Sequence, residues 1–486
     1  MKKLSLGKVM YAIALLALLV TIVGCGSNGN DNSNDNNLNS EIDIDWDYFN
    51  QRAREFVMII ASGNNYGLAA DMFDDTMSEV FGADGLEEAW AGIVELVGEF
   101  IEIYEIQNST AEGFFISGVI MRHEAMGFGW NIVFSEDGLI AGLNTSGTVL
   151  LSPLETDSPG LEAPVLREGF TDYPIVIGED TGFPLNGILS MPHGDDEFYP
   201  AVVIVHGSGP IDMDGNIFGN TPYRDIAEFL AANGIAVIRY DKRTLTHGEI
   251  MMQELGGNLT VWHESIDGAI LAAEFLRTHP GIDENRVFMI GHSLGGMLAP
   301  RIQANGGNFN GLILMAASPR NLPEIFIEQT MASIISAYDE GLISAEDMSD
   351  MLFETEYLEE LFATFDDMGD EEAKETFIPA LGTWAYYFRE MSAHPFAYYA
   401  ENTDVPVLVL QGDSDFQVLA DVDFVLIQEL FEGHDDATFK LYEGLNHLFM
   451  PTLATSFVQH ANEIVQSPGF VYTQVLQDIV DWIIES

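Results

Sequence analysis

Cysteine is almost absent from this chain. Cys25 is the only one among 486 residues, so no disulfide can form within the chain. The sequence also lacks an HExxH pattern and any cluster of cysteine and histidine of the kind that binds zinc. We therefore expect no metal and no other cofactor, and any chemistry must come from ordinary side chains.

Basic residues are also scarce. The chain has 18 Lys and Arg against 77 Asp and Glu, a formal net charge of −59. Such a surface repels nucleic acid and anionic lipid headgroups, so neither is expected as a partner. Hydrophobic residues make up 47% of the chain, which is enough for a buried core.

The first 25 residues have the pattern of a secretory signal. Three lysines within the first eight residues precede an uncharged, mainly apolar run over residues 9–24, which is short for a membrane span. The run ends in Ile-Val-Gly before Cys25, which resembles the bacterial lipobox. The resemblance implies a lipidated Cys25 and a bacterial lipoprotein anchored in the cell membrane on its extracellular face. The alternative is an ordinary signal peptide or an uncleaved anchor.

An Asn- and Ser-rich stretch over residues 26–43 separates this leader from the first folded region and predicts a disordered tether. Residues 44–144 then show two helical patterns, the second over residues 85–103, followed by short β-like runs. This order predicts a small α+β domain. A proline-containing linker is expected over residues 145–167.

Two segments of this domain, FVMIIASGNNYGLAADMFDDTM and WNIVFSEDGLIAGL, resemble a cystatin-like or nuclear-transport-factor-like domain of unknown function. The resemblance implies a cone-like fold and no particular chemistry. His123 and Trp130 could line a pocket in the cone, although ordinary packing is the favoured interpretation.

Strand and helix patterns alternate through residues 168–486. Continuous apolar runs such as AVVIV, residues 201–205, are typical of strands buried on both faces. The alternation predicts an open, mostly parallel sheet with helices on both sides. Functional residues are therefore expected beyond the carboxyl ends of the strands.

The strongest motif is Gly291-His292-Ser293-Leu294-Gly295, between a predicted strand and a predicted helix. A strand-to-helix turn this tight has room only for glycine on either side of the serine and exposes the serine Oγ. Ser293 is therefore the predicted nucleophile. Leu294 is expected to supply one backbone N–H of an oxyanion hole.

The second N–H of the oxyanion hole is expected from His206-Gly207-Ser208-Gly209-Pro210, which follows the AVVIV strand. Ser208 is the preferred donor and Gly209 the next choice.

A carboxylate and a histidine follow two later strands. Asp413 and Asp415 both lie after the strand VPVLVL, and His447 lies in the loop after ATFKLY. His434 lies in a polar stretch and His460 in a helical pattern. His447 is therefore the predicted general base.

Five segments, HGSGP, RYDKRT, GHSLGG, QGDSDFQV and GLNHLF, occur in this order. With them, residues 165–486 resemble the α/β-hydrolase superfamily, in particular bacterial esterases related to the dienelactone hydrolase and prolyl oligopeptidase groups. The resemblance implies a triad in the chain order Ser, acid, His, so His206, which precedes the serine, only shapes its loop. It also places the acid just before the aromatic-Gln-Val segment, so Asp415 is preferred over Asp413. One departure is that the segment after HGSGP lacks the basic side chain often found there.

Residues 318–400 form an insert far longer than an ordinary loop, with a helical pattern and many aromatic residues. We expect a helical lid over the active site. The alternative is that the aromatic residues fill the insert's own core.

The sequence therefore predicts a serine carboxylic-ester hydrolase that forms an acyl-enzyme on a small-molecule ester. A peptidase or acyl-peptide hydrolase with the same triad is the closest alternative. A catalytically inert, surface-binding lipoprotein is the alternative from another functional class.

Overall fold

The computed structural model describes residues 46–63, 65–111, 114–123, 127–135, 138–149, 165–194, 198–378, 381–466 and 469–486. The predicted signal peptide with Cys25, the tether and most of the predicted linker lie outside these residues. The described residues form two compact units, one before and one after the linker. No helix in the described part of the chain is long and apolar enough to cross a membrane.

The first unit packs four helices against a four-stranded antiparallel sheet in the order β1-β2-β3-β4. Its helices are α1 Trp46–Ala61, α2 Tyr66–Ala70, α3 Asp75–Val80 and α4 Gly82–Val97. Its strands are β1 Phe100–Ala111, β2 Phe114–His123, β3 Gly127–Phe134 and β4 Ile140–Val149. The predicted small α+β domain is therefore confirmed. His123 and Trp130 are both buried in its core.

One boundary in this unit was predicted wrongly. The helix expected over residues 85–103 ends at Val97, and β1 begins at Phe100. Gly98 lies between them with φ +83°, a left-handed conformation that ends a helix readily only when the residue is glycine. The last strand also runs on to Val149, into the region predicted as linker.

The second unit contains a nine-stranded sheet in the order β15-β14-β11-β10-β8-β9-β7-β6-β5. Its strands are β5 Val165–Leu166, β6 Phe170–Ile177, β7 Leu185–Pro192, β8 Tyr199–Val205, β9 Ala236–Tyr240, β10 Ile282–His292, β11 Gly311–Met315, β14 Val407–Gly412 and β15 Ala437–Tyr442. In this sheet, neighbouring strands pair in parallel over the run β15-β14-β11-β10-β8-β9. The strands β7, β6 and β5 continue the sheet as an antiparallel edge. The predicted open, mostly parallel sheet is confirmed.

Helices cover both faces of this sheet. They are α5 Pro222–Ala232, α6 Arg243–Thr246, α7 Gly248–Leu255, α8 Asp267–Thr278, α9 Leu294–Ile302, α15 Val425–Leu430, α16 Phe457–Gln466 and α17 Thr473–Glu485, together with α10 to α14 of the insert. Alternate residues of β8 enter two cores: Val203 and Val205 pack on the side of α8 and α9, and Val202 and Ile204 on the side of α5 and α17. Burial on both faces explains why β8 has a continuous apolar sequence.

The insert lies between β11 and β14 and is mainly helical. Its helices are α10 Leu322–Asp339, α11 Ala345–Phe365, α12 Asp370–Glu375, α13 Ala385–Ser392 and α14 Phe396–Ala400, with a short hairpin of β12 Phe377–Ile378 and β13 Thr383–Trp384. The hairpin is not apparent in the sequence pattern. Phe362, Phe365 and Phe388 are buried and pack on one another, and they are continuous with the hydrophobic core on that side of the nine-stranded sheet.

Candidate active site

Ser293 lies in the turn between β10 and α9. Its backbone has φ +54° and ψ −116°, a conformation that costs a non-glycine residue free energy and is often found at functional sites. The Ser293 N–H donates a hydrogen bond of 2.9 Å to the carbonyl of Met315, at the end of the neighbouring strand. The strained turn predicted from the sequence is therefore present.

The glycines around Ser293 are required by close backbone contacts. A Cβ on Gly291 would lie 2.4 Å from the carbonyl oxygen of Gly295, and a Cβ on Gly295 would lie 2.3 Å from the carbonyl oxygen of Val205. Both distances are shorter than real Cβ contacts. Any larger residue would force β8, β10 and α9 apart.

His447 and Asp415 are joined in the loops that follow β15 and β14. The His447 Nδ1 donates a hydrogen bond of 2.8 Å to Asp415 Oδ2, and both side chains are buried. The other Asp415 oxygen accepts the backbone N–H groups of Gln417 and Val418, at 2.8 and 3.0 Å. The aspartate is therefore held on the side of the imidazole away from Nε2.

Asp413, the alternative left open by the sequence, does not face His447. Its exposed carboxylate accepts hydrogen bonds from the Ser414 hydroxyl and the Gly444 N–H. These contacts hold the turn after β14 close to the loop after β15. Only Asp415 of the two contacts the imidazole.

Burial alone would raise the pKa of Asp415. The facing His447 and the two backbone N–H donors outweigh burial and hold the pKa of this carboxyl below its ordinary value. Asp415 is therefore ionised at neutral pH and can stabilise positive charge on the imidazole.

The HGSG loop passes directly over the nucleophile. A Cβ on Gly207 would lie 3.2 Å from the Ser293 Cβ, and Gly209 has φ +87°. Ser208, Leu294, Ser293 and His447 all line one pocket. The structure thus brings the predicted oxyanion donors and the predicted nucleophile and base together.

His206 lies behind this loop and is buried between the rings of Tyr223 and Tyr240. Burial and the nearby Lys242 lower its pKa to about 3, so the ring is neutral at physiological pH. The expected loop-shaping position fits these contacts.

Tyr223 and His292 connect the loops of the site, and no sequence pattern pointed to these contacts. The Gly207 N–H donates to the Tyr223 hydroxyl at 3.0 Å, the hydroxyl lies 3.1 Å from His292 Nδ1, and His292 Nε2 lies 2.9 Å from the carbonyl oxygen of His447. A carbonyl only accepts, so Nε2 carries the hydrogen and Nδ1 accepts from Tyr223. Burial and the neighbouring His447 lower the pKa of His292 to about 3, which keeps this pattern.

The pocket around Ser293 is small and uncharged, with about 110 Å³ of space. Its apolar lining comes partly from the insert helix α10, through Leu322, Ile325 and Phe326. Among the described residues that line it there is no Asp, Glu, Lys or Arg. The insert therefore shapes the pocket, as expected for a lid, but with residues near its start and not with its later aromatic cluster.

Polar contacts also hold the insert helix α10 against the rest of the hydrolase unit, just before its start, in its middle and near its end. Gln329 donates a hydrogen bond of 2.8 Å to the carbonyl of Gln417, beside the Asp415 loop. Just before the helix, Arg320 pairs with the fully buried Asp423 at 2.8 Å. Near the end of α10, the Ser336 hydroxyl accepts the N–H of Val458 on α16. This wall of the pocket is therefore well supported.

The sequence profile of the family described as serine aminopeptidase, S33, matches residues 200–451, just over half of the chain. The chain belongs to the serine aminopeptidase S33 family. This S33 chain is similar to esterase EstD of Thermotoga maritima, with 27% identity over 438 residues that cover 90% of this chain and 96% of EstD.

Two solved structures are similar at a lower level. Est1E from Butyrivibrio proteoclasticus is 15% identical, with a TM-score of 0.40, over 64% of this chain and 98% of Est1E. A puromycin-hydrolyzing peptidase of Mycobacterium tuberculosis is also 15% identical, with a TM-score of 0.40, over 79% of this chain and 49% of the peptidase.

Membership of the S33 family confirms the predicted α/β-hydrolase fold and identifies the chain as a serine hydrolase. The small domain expected ahead of it is the four-stranded unit of the structure. The resemblance to the dienelactone hydrolase and prolyl oligopeptidase groups stays a prediction. The resemblance of the first unit to a cystatin-like or nuclear-transport-factor-like domain also stays a prediction.

Proposed function

We propose that this S33 hydrolase cleaves carboxylic esters through an acyl-enzyme on Ser293, with His447 as general base and Asp415 as its orienting acid. The observation that carries the proposal is the 2.8 Å hydrogen bond between His447 and Asp415, with His447 lining the same pocket as Ser293. A nucleophile, a base and an oriented carboxylate are the parts that acyl transfer needs.

The reaction would proceed in two steps. Because Nδ1 of His447 is hydrogen-bonded to Asp415, its Nε2 is the nitrogen that would take the Ser293 proton as Oγ attacks the ester carbonyl carbon. The N–H groups of Leu294 and Ser208 would hold the oxyanion, and the alcohol would leave with the proton. Water, activated by the same imidazole, would then release the carboxylic acid and restore Ser293.

An ester substrate fits the pocket better than an amino-terminal peptide. An aminopeptidase must hold a free α-ammonium group, for which a carboxylate is the strongest partner. Among the described residues that line the pocket, none is acidic. The similar protein from Thermotoga maritima is named an esterase, which favours the same reaction.

The size of the pocket favours a short acyl group. Its space of about 110 Å³ is smaller than the cavity of about 150 Å³ that holds a benzene molecule in another protein. An acetyl or butyryl group is therefore the expected acyl group, and an octanoyl chain would have to extend out of the open side of the pocket. The apolar walls formed by Leu322, Ile325 and Phe326 would contact the methyl or methylene carbons.

The test compares the parent with Ser293→Ala on p-nitrophenyl acetate, butyrate and octanoate, and on alanine and leucine p-nitroanilides. We expect hydrolysis of the two short esters by the parent alone, little turnover of octanoate and none of the anilides. Faster cleavage of the anilides would instead make the chain an aminopeptidase. Absence of all turnover would favour the inert, surface-binding alternative.

We also propose that the enzyme is held on the extracellular face of the cell membrane by a lipid on Cys25. The support is the basic start, the short apolar run and the Ile-Val-Gly-Cys ending of the leader. In a bacterial host, Cys25→Ser should move the enzyme from the membrane fraction to a soluble fraction. If Cys25→Ser stays with the membrane and the parent shows no acyl mass on its first peptide, the lipid anchor is wrong.

A further inference from the structure

A buried ion pair lies next to the HGSG loop, residues 206–209, which carries the proposed oxyanion donor Ser208. Lys242 and Glu264 are 2.5 Å apart, and their side chains are only 1% and 2% exposed. Removing two charges from water is costly unless further hydrogen bonds support them. Lys242 follows β9 and Glu264 lies in the turn before α8, so neither belongs to the predicted triad or its loops.

The Lys242 ammonium also contacts the backbone of the HGSG loop. Its Nζ donates a hydrogen bond of 2.8 Å to the carbonyl oxygen of Gly207. That carbonyl and the N–H of Ser208 belong to one trans peptide unit, so they point in opposite directions. Holding the Gly207 oxygen on the protein side therefore turns the Ser208 N–H away from Lys242. Ser208 lines the pocket that contains Ser293.

The preceding peptide is fixed as well, because the Gly207 N–H donates to the Tyr223 hydroxyl. A cation on the carbonyl oxygen also polarises the peptide and makes its N–H a stronger donor. Lys242 thus acts on the direction and on the strength of the Ser208 N–H.

Glu264 links this arrangement to the insert. The Tyr387 hydroxyl on α13 donates a hydrogen bond of 2.6 Å to Glu264 Oε2, and the Tyr387 ring is fully buried. A continuous chain of contacts therefore runs from the insert through Glu264 and Lys242 to the peptide before Ser208.

We propose that Lys242 is a positioning residue that sets the oxyanion hole by holding the Gly207 carbonyl, and that Glu264 and Tyr387 of the insert keep Lys242 in place. This inference rests on the proposed serine-esterase function. Lys242 is a basic residue near the site that comes from the RYDKRT segment and not from the stretch after HGSGP. The proposal also gives the insert a role in catalysis beyond shaping the pocket.

The test must separate positioning from stability, because Lys242→Met alone leaves a buried, unpaired carboxylate. Lys242→Met combined with Glu264→Gln removes both charges and leaves an acceptor for Tyr387. The matched control is Lys440→Met with Asp478→Asn, which removes a partly exposed lysine–carboxylate pair elsewhere in the unit. Folding of each variant is checked by thermal melting and near-ultraviolet circular dichroism.

Loss of one oxyanion donor lowers kcat about 100- to 1000-fold in other hydrolases. Because the Ser208 donor is only released and not removed, we expect kcat on p-nitrophenyl acetate to fall at least about tenfold in the Lys242 and Glu264 double variant. KM should stay within about twofold, because ground-state binding does not use the oxyanion hole. Labelling by a fluorophosphonate should slow in parallel, and the control pair should keep the parent's kcat.

A folded double variant with the parent's kcat and labelling rate would overturn the proposal and leave the esterase function standing. A parent without esterase activity would overturn both. Should the double variant not fold, Tyr387→Phe removes only the last contact and keeps the ion pair. A lowered kcat at unchanged KM in Tyr387→Phe would then support the proposal, and an unchanged kcat would overturn the part of it that gives Tyr387 and the insert a role in holding Lys242.

Discussion

The buried histidine before the nucleophile makes a specific prediction about acid stability. Burial lowers the pKa of His292 from its ordinary value of 6.5 to about 3 in the folded chain. The unfolded chain therefore binds this proton more readily. His292 adds stability that is complete above pH 6.5 and is lost as the pH falls from 6.5 towards 3.

The size of the effect follows from the two pKa values. The unfolded imidazole is about half protonated at pH 6.5 and almost fully protonated at pH 5, whereas the folded one stays almost unprotonated over this interval. One pKa unit corresponds to about 1.4 kcal/mol, so His292 removes roughly 1.5–2 kcal/mol of unfolding free energy over this interval. Many carboxylates also titrate as the pH falls, so the measured quantity must be a difference between parent and variant.

The perturbation is His292→Gln in the full chain. Unfolding free energy is taken from hydrogen exchange of amides in β10 and β11, corrected for the intrinsic pH dependence of exchange, because these strands report on the hydrolase unit alone. The parent should lose roughly 1.5–2 kcal/mol more than the variant between pH 6.5 and 5, and the two curves should run parallel above pH 7.5. Equal losses in both proteins would refute the assignment of a neutral, buried imidazole.

Three further predictions concern the site itself. Asp415→Asn should lower kcat by about 10⁴, as when a triad aspartate elsewhere loses its charge, whereas Asp413→Asn should stay within severalfold of the parent in the same ester assay. Gly295→Ala should prevent folding or lower the melting temperature sharply, because its Cβ would lie 2.3 Å from the carbonyl oxygen of Val205; a parent-like melting curve would contradict this. Tyr223→Phe should cost about 1–3 kcal/mol of stability by leaving two buried groups without a partner, measured by urea unfolding; a loss below 0.5 kcal/mol would count against the network.

The sequence was a good guide to the parallel strands and to the residues at their carboxyl ends. Buried strands such as β8 have continuous apolar sequences, and the glycines flanking Ser293 are demanded by contacts that no larger residue permits. The choice between Asp413 and Asp415 could not be made from strand position, since both follow the same strand, and only the resemblance to the hydrolase superfamily favoured Asp415. It depends on which carboxylate meets His447, a contact across 32 residues.

Other features depend on contacts that no local pattern encodes. Gly98 ends a helix whose periodicity merges into the first residues of β1, so the boundary was misplaced. Lys242 reaches the Gly207 carbonyl across 35 residues, and Tyr387 reaches Glu264 across 123. The predicted nucleophile and base follow from local motifs, whereas the residues that contact their loops from distant parts of the chain have no such motif.

The central claim, that Ser293 is a nucleophile activated by His447, is tested most directly by covalent labelling. The parent, Ser293→Ala and His447→Ala are each incubated with a fluorophosphonate, and the modified peptide is identified by mass spectrometry. We expect one phosphonyl group on Ser293 in the parent, none in Ser293→Ala, and labelling slowed at least about 100-fold in His447→Ala. Labelling of another residue, or an equal rate without His447, would contradict the account.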